Sequence, residues 1–378
     1  MANTLTSLIP DLYAALDTVS REQIGLVPAV TLDAGVSRAA VGQTVRSAVA
    51  PASTASDITP GVTPPNDGDQ SIGNATISIS KARRVPVRWS GEEQLGINSG
   101  PGYLSIRANQ FAQAMRTLCN EIEADIAALY KTSARAYGTA GTAPFGTAGD
   151  YSDAALVRQI LVDNGAPISD LQLVLNTTAG AVFRGKQSQA QMAGDASMQR
   201  QGILLDLHGM AVRESAQIKN HTKGTGTSYQ TNNVSGYAVG STTIALDTGS
   251  GTVVAGDVVT FNGNTDKHVI ATALSGGSMA IGAPGLRAAL ADNVAMTIGN
   301  NYAANMAFAR SAIVLATRAP ALPEEGDSAT DRMMITDPRS GLTFEVAVYP
   351  QYRQVQYEIS IAWGVANVKP EHSAILLG

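Results

Sequence analysis

Two runs near the C-terminal end alternate too regularly to fold as anything but long strands. From Val355 to Val365 the odd positions read Val, Tyr, Ile, Ile, Trp and Val, and the even ones Gln, Glu, Ser, Ala and Gly. Successive strand side chains point to opposite faces, so this run carries one wholly apolar face. Phe344, Val346 and Val348 repeat the pattern upstream. Two such strands joined through a Tyr349-Pro350 turn make an antiparallel sheet, dry on one side and wet on the other. A strand over 355–365 runs roughly 36 Å, long for a compact enzyme and suited to an extended scaffold. Tyr349, Tyr352, Tyr357 and Trp363 all fall here in a chain that is only 5% aromatic. They either line a pocket or press this sheet against another layer.

The dry face needs a cover, and the only long helical pattern supplies one. Over Tyr103 to Tyr137 the residues Phe111, Met115, Leu118, Ile122, Ile126 and Leu129 form an apolar seam. That span predicts a rod of about 50 Å. Lys131 and Arg135 fall near its end, where the helix dipole favours cations, and GTAGTAPFGTAGD stops it. Before it, ATISISKARRVPVRWSGEEQLG places Ile77 and Ile79, then Val85, Val87 and Trp89, in alternation. The expectation is a two-stranded ribbon, marginal alone in water and in need of support. Residues 34–75 are mostly Ala, Gly, Ser, Thr, Pro and Asp, an extended arm that borrows its structure. Leu5, Leu8, Leu12, Leu16 and Val19 make a short helical stripe ahead of it.

Residues 152–215 alternate helix and strand: SDAALVRQILVDNG, LQLVLN, then a polar helix through GKQSQAQMAGD. QIKNHTKGTGTSYQTNN reads as a flexible hinge. STTIALD, GDVVTFNG, KHVIATAL, SMAIGA and NVAMTIG follow as five short strands at roughly ten-residue spacing, the text of a small barrel or sandwich. Helical text resumes at NNYAANMAFARSAIVLATRAP, so the β unit reads as an insertion in a host domain. The fold class is α+β.

No catalytic constellation survives inspection, and the chain is expected not to be an enzyme. His208, His221, His268 and His372 are scattered, with solvent-exposed or structural roles expected for each. There is no Gly-x-Ser-x-Gly, His-Glu-x-x-His, Walker-type lysine or Cys-x-x-Cys. GTGTS and GSGTVVAG lack phosphate-loop spacing, and Glu92-Glu93, Glu324-Glu325 and Asp327 lack EF-hand spacing. No metal or cofactor is expected. Single Cys119 reads as a small buried hydrophobe in a reducing compartment. The first residues lack a basic region with an apolar core, so no secretory signal is expected. No stretch of 18 apolar residues crosses a membrane, and triplets such as Asn74-Ala75-Thr76 are chance matches to a glycosylation acceptor.

Two features point to contact between chains. Only 15% of residues are charged, against a typical quarter, so much of the surface does not face water in the working state. Lys81, Arg83, Arg84 and Arg88 place four cations beside Trp89 on the ribbon. With 26 basic against 31 acidic residues the chain has no overall attraction to nucleic acid or anionic membrane. The ribbon cations are therefore expected to pair with carboxylates of an adjacent subunit, with Glu121, Glu123 and Asp125 on the long helix as candidates.

In this order the parts resemble the major capsid proteins of tailed bacteriophages, which share the HK97-like fold. LTSLIPDLYAALDTVSREQIGLVPAV resembles the N-terminal arm of the short-tailed-phage coat branch. ATISISKARRVPVRWSGEEQ is similar to the extended loop, AGDVVTFNGNTDKHV to the inserted β-domain, and VYPQYRQVQYEISIAWGVANVKPE to the C-terminal strands. The resemblance implies an arm over 1–50, an extended loop over 51–100 and a spine helix over 101–138. It implies a body over 139–215 and 300–378, with the inserted domain over 216–299. It further implies self-assembly, in hexamers and pentamers, into an icosahedral shell in the host cytoplasm. The shell would enclose double-stranded DNA without reading its sequence, with scaffolding and portal partners. An encapsulin-like nanocompartment shell and a tail-tube component are the alternatives.

Overall fold

A computed structural model describes residues 25–35, 37–49, 55–63, 69, 73–97, 103–146, 150–189, 204, 206–336 and 341–378. The helical stripe over 5–19 and the end of the polar helix beyond residue 189 lie outside these residues. Strands outnumber helices, in a mixed α/β arrangement. The first third carries β1 (Thr31–Ala34), β2 (Thr44–Val49), β3 (Gly73–Ser78), β4 (Lys81–Ser90), α1 (Gly91–Ile97), α2 (Tyr103–Ala127) and β5 (Arg135–Tyr137). The body follows with α3 (Ser152–Asp163), β6 (Leu171–Leu175), α4 (Thr177–Gln189) and β7 (Met210–Glu214). Next come β8 (Asn220–His221), β9 (Gln230–Thr231), β10 (Thr243–Asp247), β11 (Val258–Phe261), β12 (Lys267–Ser275), β13 (Ser278–Ile281) and β14 (Met296–Ile298). The chain closes with β15 (Tyr302–Ala309), β16 (Ile313–Arg318), β17 (Asp331–Thr336), β18 (Thr343–Gln351), β19 (Gln354–Asn367) and β20 (Ser373–Leu377).

The alternating tail forms as its pattern demands. β18 and β19 pair antiparallel, but the turn between them is Tyr352-Arg353, with Arg353 at φ 56°, and Pro350 lies within β18 opposite Val355. β19 is the hub of a six-stranded sheet: β18 and β16 flank it along one side and β4 along the other. β1 adds in parallel to β16, and β17 to the far side of β18. Gly364 falls where Ser78 crosses β19, and a Cβ there would collide with the Ser78 carbonyl.

α2 lies across the dry face. Phe111, Met115, Leu118, Ile122 and Ile126 are all buried, in one core with Trp89, Phe344, Val346, Ile359, Ile361 and Trp363. The helix is shorter than its seam predicts, at 25 residues or about 37 Å. After Ala127 the chain tightens into a 3₁₀ turn over Ala128–Thr132. It then enters the second sheet, where Arg135–Tyr137 pair with β20 and β12. Sheet hydrogen bonds from two neighbours override helix propensity there.

The expected hairpin of Ile77-Ile79 with Val85-Val87-Trp89 does not form. β3 pairs with β2, and β4 pairs with β19. Ile79-Ser80 offers neither Gly nor Asn to carry the positive φ of a tight hairpin, so the chain continues extended and exchanges partners. Residues 302–318, expected to be helical, are β15 and β16. Every residue of both strands is buried. Strands covered on both faces lose the period-two signal and read as apolar runs.

All five strands read from 241–299 are present as β10 to β14, around Ile244, Val259, Phe261, Ile270, Met279 and Ile281. They belong to a twelve-stranded sheet that also contains β6, β15 and β20 of the body. Residues 217–233, expected to be a flexible hinge, supply β8 and β9. β8 pairs with β15, which ties this stretch to the body.

Candidate assembly surface

The long helix and the tail strands meet at β4. Its register with β19 runs from Lys81 opposite Trp363 to Ser90 opposite Gln354. Odd residues of β4 face α2. Lys81 Nζ lies 2.8 Å from Asp125 Oδ1, Arg83 Nε 3.6 Å from Glu121, and Trp89 Nε1 donates to Gln110 at 2.8 Å. Strand and helix run antiparallel and their rises match. Two strand residues cover about 6.6 Å and four helical residues about 6 Å, so Lys81 and Arg83 meet carboxylates one helical turn apart. Asp125 also accepts from Trp363 Nε1 at 2.9 Å.

The carboxylates expected to lie on a neighbouring subunit are therefore met within the chain for Lys81 and Arg83. Glu123 takes no part, because it projects from another side of the helix than the 121/125 pair. It is buried, and its Oε1 accepts the backbone N–H groups of Gly25, Leu26 and Val27 at 2.6, 2.8 and 3.3 Å. Its Oε2 accepts Ser215 Oγ at 2.5 Å. Burial pushes this carboxyl up, against the opposing pull of those hydrogen bonds.

Even residues of β4 face outward. Arg84 pairs with Glu358 at 2.5 Å, which holds the guanidinium above its ordinary range, and Arg88 is exposed. Exposed pairs of this kind contribute little. Arg84→Ala is expected to lower stability by less than about 1 kcal/mol in urea unfolding. β4 carries Pro86, which lacks a donor, and several cations, features that discourage further strand addition at a sheet edge.

Two groups were not legible in the sequence as read. Ser90 and Glu93 form a capping box at the start of α1: Ser90 N–H donates to Glu93 Oε2 at 2.8 Å and Glu93 N–H to Ser90 Oγ at 3.3 Å. The Ser-x-x-Glu spacing was the available signal. His221 is not a hinge residue in solvent. It is buried between the Tyr130 hydroxyl at 2.8 Å and Asp257 Oδ1 at 2.9 Å, and burial pushes Tyr130 up to about 12. No sequence spacing links those three residues.

The tail aromatics act as glue. Tyr357 meets Phe111 edge-on at 5.4 Å, Trp363 is fully buried, and Tyr349 donates to Asp327 at 2.7 Å. Tyr352 alone of the four stands out, 87% exposed at the β18–β19 turn. Among the described residues no three His, Cys, Asp or Glu side chains gather to hold a metal ion, and no helix is long and apolar enough to cross a membrane.

One exposed stretch lies between β2 and β3. The base of the β2–β3 ribbon rests on the sheet through Ile77 and Ile79, packed with Val314, Ala316 and Ala362. Beyond it every residue of 55–63 is exposed, with Ile58 at 96% and Val62 at 105% of full exposure.

No family model matches the chain, and no curated protein matches it. Among solved structures it is similar to the capsid of cyanophage P-SCSP1u, at 13% identity over 94% of this chain and 88% of that one, with a TM-score of 0.48. It is similar to a virus-like particle from Pyrococcus furiosus at 11% identity, over 97% of this chain and 98% of that one, with a TM-score of 0.45. A chain of Mycobacterium phage Che8 is similar at 13% identity, over 90% of this chain and 88% of that one, with a TM-score of 0.43.

Proposed function

We propose that this chain is a structural coat subunit of the HK97-like kind, which assembles with copies of itself into a closed shell around double-stranded DNA. The observation that carries the reading is the ribbon. A two-stranded ribbon of six residues a side stands on the helix-on-sheet body, and between its strands the chain holds Ile58 and Val62 almost wholly in water. An isolated two-stranded ribbon is marginal in water, so the β2–β3 pair with its exposed 55–63 segment gains support from contact with another chain. The order of arm, ribbon, long helix, body with β insertion and closing sheet supports the same reading, as does the low charge fraction. In this reading β10 to β14 form the inserted domain and residues 1–50 the arm. Repeated head-to-tail contacts close into rings and curved surfaces, and confinement of DNA by an acidic shell needs no base readout. The chain works in the virion, with scaffolding and portal proteins as partners, and it carries no catalytic role.

Negative-stain electron microscopy of the purified chain, alone and co-expressed with its neighbouring genes, tests this. Closed hollow particles are expected; tubes would indicate a tail component, and a monomer under both conditions would overturn the reading. The double variant Ile58→Asp, Val62→Asp is expected to abolish particles while leaving the circular dichroism spectrum and urea midpoint unchanged. Particles at wild-type yield from that variant would remove the ribbon from the assembly contact.

A further inference from the structure

The twelve-stranded sheet passes from body to insertion through β5, a strand of three residues. β5 pairs in parallel with β20 and antiparallel with β12, and the second seam has only two register pairs, Lys267 opposite Ala136 and His268 opposite Arg135. The imidazole of His268 is fully buried, and neither ring nitrogen has a hydrogen-bond partner among the described residues. Nearby carboxylates are already taken. Arg135, its side chain 5% exposed, lies 3.0 Å from Asp266 and 3.5 Å from Asp163, and Asp163 also holds Arg287 at 2.8 Å. Lys267 donates its amino group to the Gly138 carbonyl, and the Phe261 ring lies 6.1 Å from the imidazole. A proton added to His268 therefore arrives in a fully buried seam beside a guanidinium, with no free acceptor for it among the described residues. A buried charge without a partner is among the costliest things a fold can hold.

We propose that His268 makes this seam an acid-sensitive joint, at which β12 and the β unit it carries part from β5 when the imidazole is protonated. Burial, with a further push from Arg135 and an opposing pull from Asp266, brings the His268 pKa down from 6.5 to about 4. The closed seam takes up this proton only near pH 4, whereas an opened, hydrated ring takes it up near 6.5. Opening is thus favoured progressively as pH falls from 6.5 to 4 and levels off below, by roughly 30-fold at pH 5 and 300-fold at the limit. The inference does not depend on the shell reading, since the seam lies within one chain.

Amide hydrogen exchange on the full chain at pH 7 and pH 5, corrected for intrinsic rates, reads this directly. Peptides covering 135–137 and 267–275 are expected to gain about 20-fold in opening from pH 7 to pH 5 relative to β18 peptides. His268→Phe is expected to abolish that gain. An equal gain in the variant, or none in the wild type, would overturn the proposal. Should the variant fail to fold, deuterium exchange at the imidazole C2 of the wild-type chain decides. A midpoint well below 6.5 supports the joint, and an ordinary midpoint near 6.5 refutes it.

Discussion

Replacing Trp363 with alanine is expected to destabilise the protein by about 3–5 kcal/mol, visible as a large drop in the urea midpoint at unchanged slope. The residue is the largest fully buried side chain and sits where β16, β19, β4 and α2 converge. Its removal opens a cavity whose walls are paired strands and a helix, which collapse poorly. It also removes one donor from Asp125, leaving that carboxylate with Lys81 among the described residues. Trp363→Phe separates the two effects. It keeps most of the ring volume and deletes the indole N–H, so a loss of about 1–2 kcal/mol is expected. A Trp363→Ala variant as stable as wild type would show that the sheet does not depend on its helical cover.

The second large effect is at Glu123. Alanine there leaves three consecutive backbone N–H groups and the Ser215 hydroxyl without their acceptor in a buried site. A loss of about 3–5 kcal/mol is expected. Faster amide exchange in a peptide covering 25–35 should accompany it, because that segment loses its anchor on α2. Glutamine should cost less than about 1 kcal/mol. Its carbonyl can occupy the Oε1 position while its NH₂ faces Ser215 Oγ, which can accept. The sign of the pH dependence follows from the raised pKa of this carboxyl. The folded state holds the proton more tightly than the unfolded one. The stability from this group is fully present below about pH 4.5 and is lost as pH rises through the raised value. Glu123→Gln should remove that dependence, whereas Glu121→Ala, at an exposed pair, should cost under about 1 kcal/mol.

What the sequence disclosed and what it hid divide along one physical line. β18 and β19 were legible because large apolar residues alternate there with polar or small ones, although both faces are buried along 344–347 and 359–364. β10 to β14 were legible because short apolar stretches are punctuated by turn residues. β15 and β16 were not, because burial on both sides of Tyr302–Ala309 and Ile313–Arg318 erases that period and leaves an Ala-rich run resembling helix. The seam of α2 gave the helix and its facing layer but not its end, which is set by β20 and β12 more than two hundred and one hundred residues away in sequence. The ribbon cations were expected to meet Glu121, Glu123 or Asp125 of an adjacent subunit. Lys81 and Arg83 instead meet Asp125 and Glu121 of the same chain, because composition alone does not distinguish a partner within the chain from one on a neighbour. Glu123 shows the opposite difficulty: a mid-helix carboxylate looks solvated until the segment that covers it is known.

The position of β4 between α2 and β19 also dictates an order of events at the ribosome. Ser80 donates its N–H to the carbonyl of Trp363, 283 residues later. At about 5–20 residues per second, roughly 15–60 s separate the emergence of β4 from that of its partner. Throughout this interval the apolar side of β4, with Val87 and Trp89, and the seam of α2 wait without the layer that completes them. Local helix and turn formation finish within microseconds, so the slow step is the return of the last strands to the first. A nascent chain of this design has a long vulnerable phase that folding catalysts of the cell must shelter, and truncation anywhere before β19 strands it there permanently.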